Sequence, residues 1–363
     1  MQFIDLKAQY AGIQDKIQKR FNDVMEHGMY IMGPEISELE KELANYVGCK
    51  HAIGCANGTD ALMIAMETLG IGKDDEVIST PFTFFATGET IALKGAKLVF
   101  ADIDPDTYNI DVEKIEEKIT SKTKAIIPVS LYGQMPDMDK IMELAKKHGL
   151  SVIEDAAQSF GAEMRGKKSC SVATISTTSF FPAKPLGCYG DGGALFTNDE
   201  SLAKKISEIR NHGQSKRYTH TSLGYNSRLD TLQAAILLEK LAIFPKEVEL
   251  RQEVAKRYDE AFMGKIKTTK VADGFKSVYA QYTIEVDNRD EFCEKMKADG
   301  IPTAVHYPVP IHHQPIFKDL GYANIDMPLA DTASQRVCSL PMHPYMSVDD
   351  QMKVIDAVLK NIG

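Results

Sequence analysis

The stretch Thr178-Ser179-Phe180-Phe181-Pro182-Ala183-Lys184-Pro185-Leu186-Gly187 decides how this chain is read. It holds one lysine among aromatic rings, prolines and small residues, and a glycine-rich run (Gly187, Gly190, Gly192, Gly193) follows. An ammonium group in apolar surroundings loses hydration. That pushes the side chain toward the free amine, the form that attacks carbonyl carbons. A lysine snorkelling from a loop between two strands would have the same local sequence. The window alone leaves both readings open.

The chain has 363 residues, 44% of them apolar and 26% charged, which is ordinary globular composition with enough length for a large core in two lobes. A net charge of −9 argues against general nucleic-acid binding, and an anionic small substrate would need local basic groups. The six cysteines show neither a C-x-x-C motif nor zinc spacing, so reduced thiols are expected. Met1-Gln2-Phe3-Ile4-Asp5 lacks a basic and then apolar signal pattern, and no apolar run approaches the ~18–20 residues of a membrane span. The expectation is a soluble, cytoplasmic protein with neither a nucleic-acid nor a membrane partner.

Short strand-like runs at Val77-Ile78, Leu98-Val99-Phe100, Ala125-Ile126-Ile127, Val152-Ile153 and Ala194-Leu195-Phe196 are interspersed with helical stripes. Those stripes include Ile36, Leu39, Leu43, Val47 and Met138, Ile141, Leu144, Ala145, the second closed by Gly149. Such alternation implies a mostly parallel sheet covered on both faces, with ligands beyond the carboxyl ends of its strands. From about Glu247 the character changes to a charged helix (Leu250 to Phe262), a strand over Val278 to Val286, a helix around Phe292 to Ala298 and a Pro/His-rich passage. Ser347 then caps a final stripe of Val348, Met352, Ile355 and Leu359. The expected division is a large domain over 13–245 and a smaller α+β domain over 246–363, with residues 1–12 packing nearby.

A lysine that forms a Schiff base is the anchor of pyridoxal phosphate enzymes, and four further features fit that cofactor. Asn57-Gly58-Thr59-Asp60 follows a short apolar run and opens a helix, offering backbone amides and the Thr59 hydroxyl to a phosphate, although a capped turn reads the same way. Asp155 ends a buried strand, where a carboxylate can keep a pyridine nitrogen protonated; a plain helix cap is its alternative. Gln158 follows as a donor for the ring's phenolic oxygen. Phe84, in Pro81-Phe82-Thr83-Phe84-Phe85-Ala86-Thr87, can stack on a flat ring or simply join the core. Asn226-Ser227-Arg228 precede a helix from Leu229 to Leu241 and suit an anion, or a solvated cap.

This order of motifs resembles the DegT/DnrJ/EryC1/StrS family of sugar aminotransferases. The likeness runs from Ile4-Asp5-Leu6 to Leu340-Pro341-Met342-His343-Pro344. It takes in Gly33-Pro34-Glu35, Asp102-Ile103-Asp104, Leu131-Tyr132-Gly133-Gln134 and the motifs around Gly58, Asp155, Lys184 and Arg228. Within the family, stretches 229–238, 278–283 and 301–308 are most similar to the branch that aminates UDP-2-acetamido-2-deoxy-3-oxo-glucuronate for bacterial surface polysaccharide. The resemblance implies an α/β, aspartate aminotransferase-like fold of type I. Its large domain would carry a mostly parallel seven-stranded sheet, and its C-terminal domain would be smaller and α+β.

It also implies pyridoxal phosphate as cofactor, L-glutamate as amino donor with 2-oxoglutarate as by-product, a UDP-sugar substrate, and a homodimer with shared active sites. Lys184 would bind the cofactor and shuttle the proton. Asp155, Gln158 and Phe84 would meet its ring, and Gly58, Thr59 and Ser179 its phosphate, joined by Asn226 of the other subunit. Arg228, also from the other subunit, would face the sugar nucleotide with Gly28, Tyr30, His306 and Tyr307. Ala183 departs from the pattern, which has serine before the lysine, and this bears on fine specificity.

Sugar dehydratases of the same family replace the lysine by histidine, so Lys184 argues against dehydration. A non-catalytic regulator would need a basic DNA-binding element, and none is seen. His306, His312, His313 and His343 lack a metal-ligand spacing, so no metal is expected. The polar run His212 to His220 reads as a lid over the nucleotide.

Overall fold

Seven strands of four or five residues build one central sheet: β1 (His51–Cys55), β2 (Glu76–Ser79), β3 (Lys97–Phe100), β4 (Thr123–Ile127), β5 (Ser151–Asp155), β6 (Ile175–Ser179) and β7 (Gly193–Thr197). The computed structural model, which describes residues 1–362, orders them β1-β7-β6-β5-β4-β2-β3. Only β7 runs against its neighbours, pairing antiparallel with both β1 and β6. This is the mostly parallel sheet that the alternation of strands and helices predicts, with the seven strands that the family resemblance implies.

Helices α1 (Leu6–His27), α2 (Pro34–Val47), α3 (Gly58–Leu69), α4 (Phe85–Leu93), α5 (Met138–His148) and α6 (Glu200–Ile209) precede the long α7 (Thr231–Phe262). Pleat alternation divides the apolar strands between two cores. On β5, Val152 joins a core with Leu39, Leu43 and Phe160, while Ile153 joins another with Ala61, Leu62 and Ile64. Local signals set the ends. Gly149 closes α5 in the left-handed conformation (φ 67°), and the Ser347 side chain accepts from the Asp350 amide to start Val348–Asn361.

Two expectations are corrected. The two helices read from Leu229 and from Leu250 are one continuous helix, α7, with Pro245 inside it. Apolar residues on both sides of the proline (Leu241, Phe244, Val248) are buried, so packing outweighs the lost backbone hydrogen bond. The strand expected over Val278 to Val286 is ordered only at Tyr282–Glu285. The run from His212 to His220 forms a two-stranded hairpin, Gln214–Lys216 with Thr219–His220.

Residue 245, the expected division, therefore lies within a helix that runs on into the C-terminal part of the chain. There Tyr282–Glu285 pairs with Lys267–Thr268 and Val337–Leu340. With α8 (Arg289–Ala298) and Val348–Asn361 they enclose a separate core around Tyr258, Phe262 and Met296. Residues before α1 meet this part through the Met342 amide, which donates to the Phe3 carbonyl at 3.3 Å.

Phe244 ties α7 to the sheet. Its ring packs on Phe160 (centroids 5.7 Å apart) and edge-on to Tyr46 (5.7 Å). A Cβ at Gly161 would come within 2.7 Å of it, so the chain there must be glycine (φ 91°) for the ring to fit. Phe244→Ala should cost ~3–5 kcal/mol of folding stability, read by urea denaturation at constant m-value. A loss under ~1 kcal/mol would show that the site collapses around the deletion.

Candidate active site

Beyond the carboxyl ends of β1, β2, β5 and β6, side chains from separate loops enclose a cavity of about 700 Å³. One wall is the start of α3. Asn57 caps that helix by accepting from the Asp60 amide at 2.8 Å. The first amides of a helix have no partner within it and carry the positive end of the helix dipole. Two glycines bring this end close to the sheet. A Cβ on Gly58 would lie 2.7 Å from the Ser179 Cβ, and one on Gly193 would lie 2.6 Å from the Asn57 backbone. Gly58, Thr59 and the Ser179 hydroxyl thus line the cavity together, a cradle that fits a phosphate.

Asp155 and Lys184 line the same space. Burial pushes the Asp155 carboxyl up, and two donors work against that shift: Thr87 Oγ1 at 2.8 Å and the Ala157 amide at 3.2 Å. Two bonds leave a carboxylate with acceptor capacity to spare. Burial pulls the Lys184 ammonium down from its ordinary 10.5, and the charge of Asp155 partly restores it. A buried carboxylate with room for another donor, an amine biased toward its neutral form and a phosphate cradle fit pyridoxal phosphate.

Phe84 stands at the start of α4, 57% exposed, with its ring 6.1 Å from that of Tyr307. Gln158 is held at both ends: its Oε1 accepts from the Tyr132 amide at 2.9 Å and its Nε2 donates to the Tyr307 hydroxyl at 2.9 Å. Its second N–H is uncommitted in these contacts. His306 places Nδ1 3.1 Å from Ser339 Oγ, and its carbonyl accepts from the Tyr132 hydroxyl. Burial, and then the Lys184 charge, hold the His306 imidazole down at about 4.

Nine of the expected residues therefore meet in one cavity: Gly58, Thr59, Phe84, Asp155, Gln158, Ser179, Lys184, His306 and Tyr307. Four do not. Asn226 is exposed, and Arg228 donates to Asn211 Oδ1 at 2.6 Å while its buried Nε has no partner. Gly28 ends α1 in the left-handed conformation, and Tyr30 is 45% exposed. None of the four lines the cavity of its own chain, nor does the hairpin expected as a lid.

Residues 12–359 match the DegT/DnrJ/EryC1/StrS aminotransferase family. The chain belongs to that family. It is 55% identical over 363 residues to the UDP-2-acetamido-2-deoxy-3-oxo-D-glucuronate aminotransferase of Pseudomonas aeruginosa, covering 99% of this chain and 100% of that one. It is also 47% identical over 359 residues to the pleiotropic regulatory protein of Geobacillus stearothermophilus, covering 98% and 96%. The solved structure of NtdA from Bacillus subtilis with bound cofactor PMP matches with a TM-score of 0.91 and 33% identity, covering 99% of this chain and 83% of that one.

For an aminotransferase of this family, three residues matter that the sequence did not single out. Thr87 holds Asp155, and Thr83 holds Thr87 in turn (3.1 Å between hydroxyls). Tyr132 fixes both Gln158 and the backbone of His306. Gln281 lines the cavity with an Oε1 that is buried and unpaired. Thr87 and Tyr132 stood in motifs already quoted and Gln281 in the stretch 278–283, but nothing local to any of them signalled these contacts.

The His306 environment sets a pH dependence. Its folded value of about 4 lies below the ordinary 6.5, so its contribution to stability is complete above pH 6.5 and is lost as pH falls toward 4. His306→Gln should retain on the order of 2 kcal/mol more of its neutral-pH stability than the wild type across that window. Thermal unfolding of both proteins between about pH 7.5 and about 4.5 reads the difference. Parallel profiles would refute the buried, neutral imidazole.

Proposed function

We propose that this aminotransferase uses pyridoxal phosphate to move an amino group from L-glutamate to C3 of UDP-2-acetamido-2-deoxy-3-oxo-glucuronate, releasing 2-oxoglutarate, for bacterial surface polysaccharide. The observation that carries the chemistry is a desolvated lysine and a buried carboxylate facing one cavity beside a phosphate cradle. The substrate rests on the 55% identity to an aminotransferase named for that sugar nucleotide.

When bound, the cofactor supplies the electron sink for carbanion chemistry. Gly58, Thr59 and Ser179 would hold its phosphate, Asp155 a proton on its ring nitrogen, Gln158 its phenolic oxygen, and Phe84 one face of its ring. Lys184 anchors it and then, as a free amine, carries the proton delivered to the sugar C3. Burial matters here because a fully charged ammonium could not accept that proton. His306 and Tyr307 wall the sugar side as neutral groups, which limits them to hydrogen bonding.

The reading includes a homodimer in which Asn226 and Arg228 serve the other subunit's site. Charge supports it. Among the described residues lining the cavity, Lys184 is the one cation, against Asp60, Asp155 and Asp191. A diphosphate and a uronate both demand cations, and a guanidinium can grip either of them bidentately. Met29, Tyr30, Ile31 and Met32 are each more than 40% exposed, and Ile31 bridges to Asp230, close in sequence to Arg228. Consecutive exposed apolar residues of this kind mark an association surface.

Two experiments test the proposal. Mass spectrometry of a reaction with the 3-oxo sugar nucleotide and L-glutamate should show the keto oxygen exchanged for an amine. Lys184→Ala should lower turnover by at least ~10²–10⁴-fold while remaining folded; a folded enzyme that aminates another keto sugar instead would overturn the substrate. For the shared site, Lys184→Ala and Asn226→Ala proteins, each inactive, should regain about a quarter of wild-type activity when unfolded and refolded together, since half the dimers then carry one intact site. No recovery, from mixtures shown to form hybrids, would place Asn226 outside a shared site.

A further inference from the structure

Away from the cavity, one group of side chains is buried without the partners that burial demands. His312 closes the turn Ile311–His313 and is 0% exposed, yet neither of its ring nitrogens has a hydrogen-bond partner. Its Nε2 lies 3.1 Å from Oδ1 of Asp331, and Nε2 of His313 lies 2.9 Å from the same oxygen. That oxygen is also buried and also accepts no hydrogen bond, so these close contacts lack hydrogen-bond directionality. The two imidazole rings sit 4.0 Å apart, centre to centre. Three side-chain atoms able to ligate a metal thus crowd one point.

We propose that His312, His313 and Asp331 bind a divalent transition-metal ion, zinc by the chemistry of the donors, as a structural clamp. All three ligand atoms lie within 4.8 Å of one another. Ligands held ~2.0–2.1 Å from a tetrahedral zinc are spaced roughly 3.3 Å apart, close to the two nitrogen–oxygen separations found. Two imidazoles and a carboxylate form a borderline donor set that favours zinc over calcium or magnesium. His313 is 39% exposed and Asp331 30%, so the cluster lies near the surface.

The surroundings are those of a clamp rather than a second catalytic centre. Asp102 accepts from the amides of Leu329 and Ala330, both at 3.0 Å, and so fixes the start of the helix Pro328–Arg336 that carries Asp331. Ile311 donates to the Pro81 carbonyl at 2.9 Å and packs against Gly88 of α4, the helix that Phe84 starts. An ion here would fasten the 311–313 turn to the helix at 328–336 and close the intervening segment, whose Phe317 ring packs edge-on to Phe85 at 5.9 Å. The spacing of the four histidines hid the site because its third ligand is an aspartate on a later helix. His306 is engaged elsewhere, with Ser339.

The test uses full-length, tag-free protein. Dialysed against a zinc buffer and then metal-free buffer, it should retain about one zinc per chain by plasma mass spectrometry. Its unfolding temperature should rise when ~10 µM zinc replaces EDTA. His313→Leu, at the exposed ligand, should lose both effects while unfolding in EDTA at the wild-type temperature; Asp331→Asn provides a second, nearly isosteric variant. Retention below about a tenth of an equivalent with no thermal response would overturn the site. So would full retention by both variants, which would put the metal on other ligands.

Discussion

The central constraint is that a carboxylate and an amine must both be kept away from water at the carboxyl edge of one sheet. Either charge alone would pay several kcal/mol in lost hydration, and the pair recovers only part of it. The adjacent residue shows what full compensation looks like. Glu154, on the opposite face of β5, is 0% exposed and accepts from Ser130, Ser169, Ser176 and the Cys170 amide. Asp155 receives two donors and faces open space. Two neighbouring acids on one strand thus separate into a sealed structural group and an under-satisfied one that faces the cavity. The period of two in the strand is what divides them.

Much of this was legible from residue types. A strand such as Val152-Ile153 followed by an acid, a Gly-Thr pair at a helix start, and a lysine among prolines each predict their place, because backbone geometry dictates local chemistry. Strand β6 was harder to see. Its sequence, Ile-Ser-Thr-Thr-Ser, looks like a loop, yet the Ser176, Thr177 and Thr178 hydroxyls bond Glu154, its carbonyl and the Ala156 carbonyl. Hydrogen bonding inside the sheet replaces apolar burial there, and hydropathy cannot register that. Pro245 misled in the opposite sense, because a breaker in a helix with buried residues on both sides is overruled by packing. Tyr132 and Gln281 were invisible for a simpler reason: their roles are defined by residues far along the chain.

The chain's charge also constrains how its site can be completed. An acidic protein that handles an acidic sugar nucleotide must concentrate cations where the substrate lies, against a repulsive background. The cavity of one subunit holds more carboxylates than cations, and Arg228 ends with an unpaired, buried Nε outside it. Under the proposed dimer these are two halves of one requirement. The guanidinium whose Nε is unpaired in its own chain would be the one missing from the neighbouring cavity. An assembly that brings a site its counter-charge also ties substrate affinity to subunit association.

The same electrostatics explain how a single lysine can do two jobs. Burial lowers both Lys184 and His306, and the lysine's charge further disfavours protonating the imidazole. At neutral pH the histidine is therefore held neutral, which under the proposed function leaves Lys184 as the proton carrier of these two bases. Asp155 pulls the other way, keeping the amine basic enough to hold a proton once it has one. Too little burial would leave a permanently charged ammonium, and too little Asp155 would leave an amine that never protonates. Under the proposed function Lys184 has to lie between those limits, which is the condition for one group to take a proton from one carbon and return it to another.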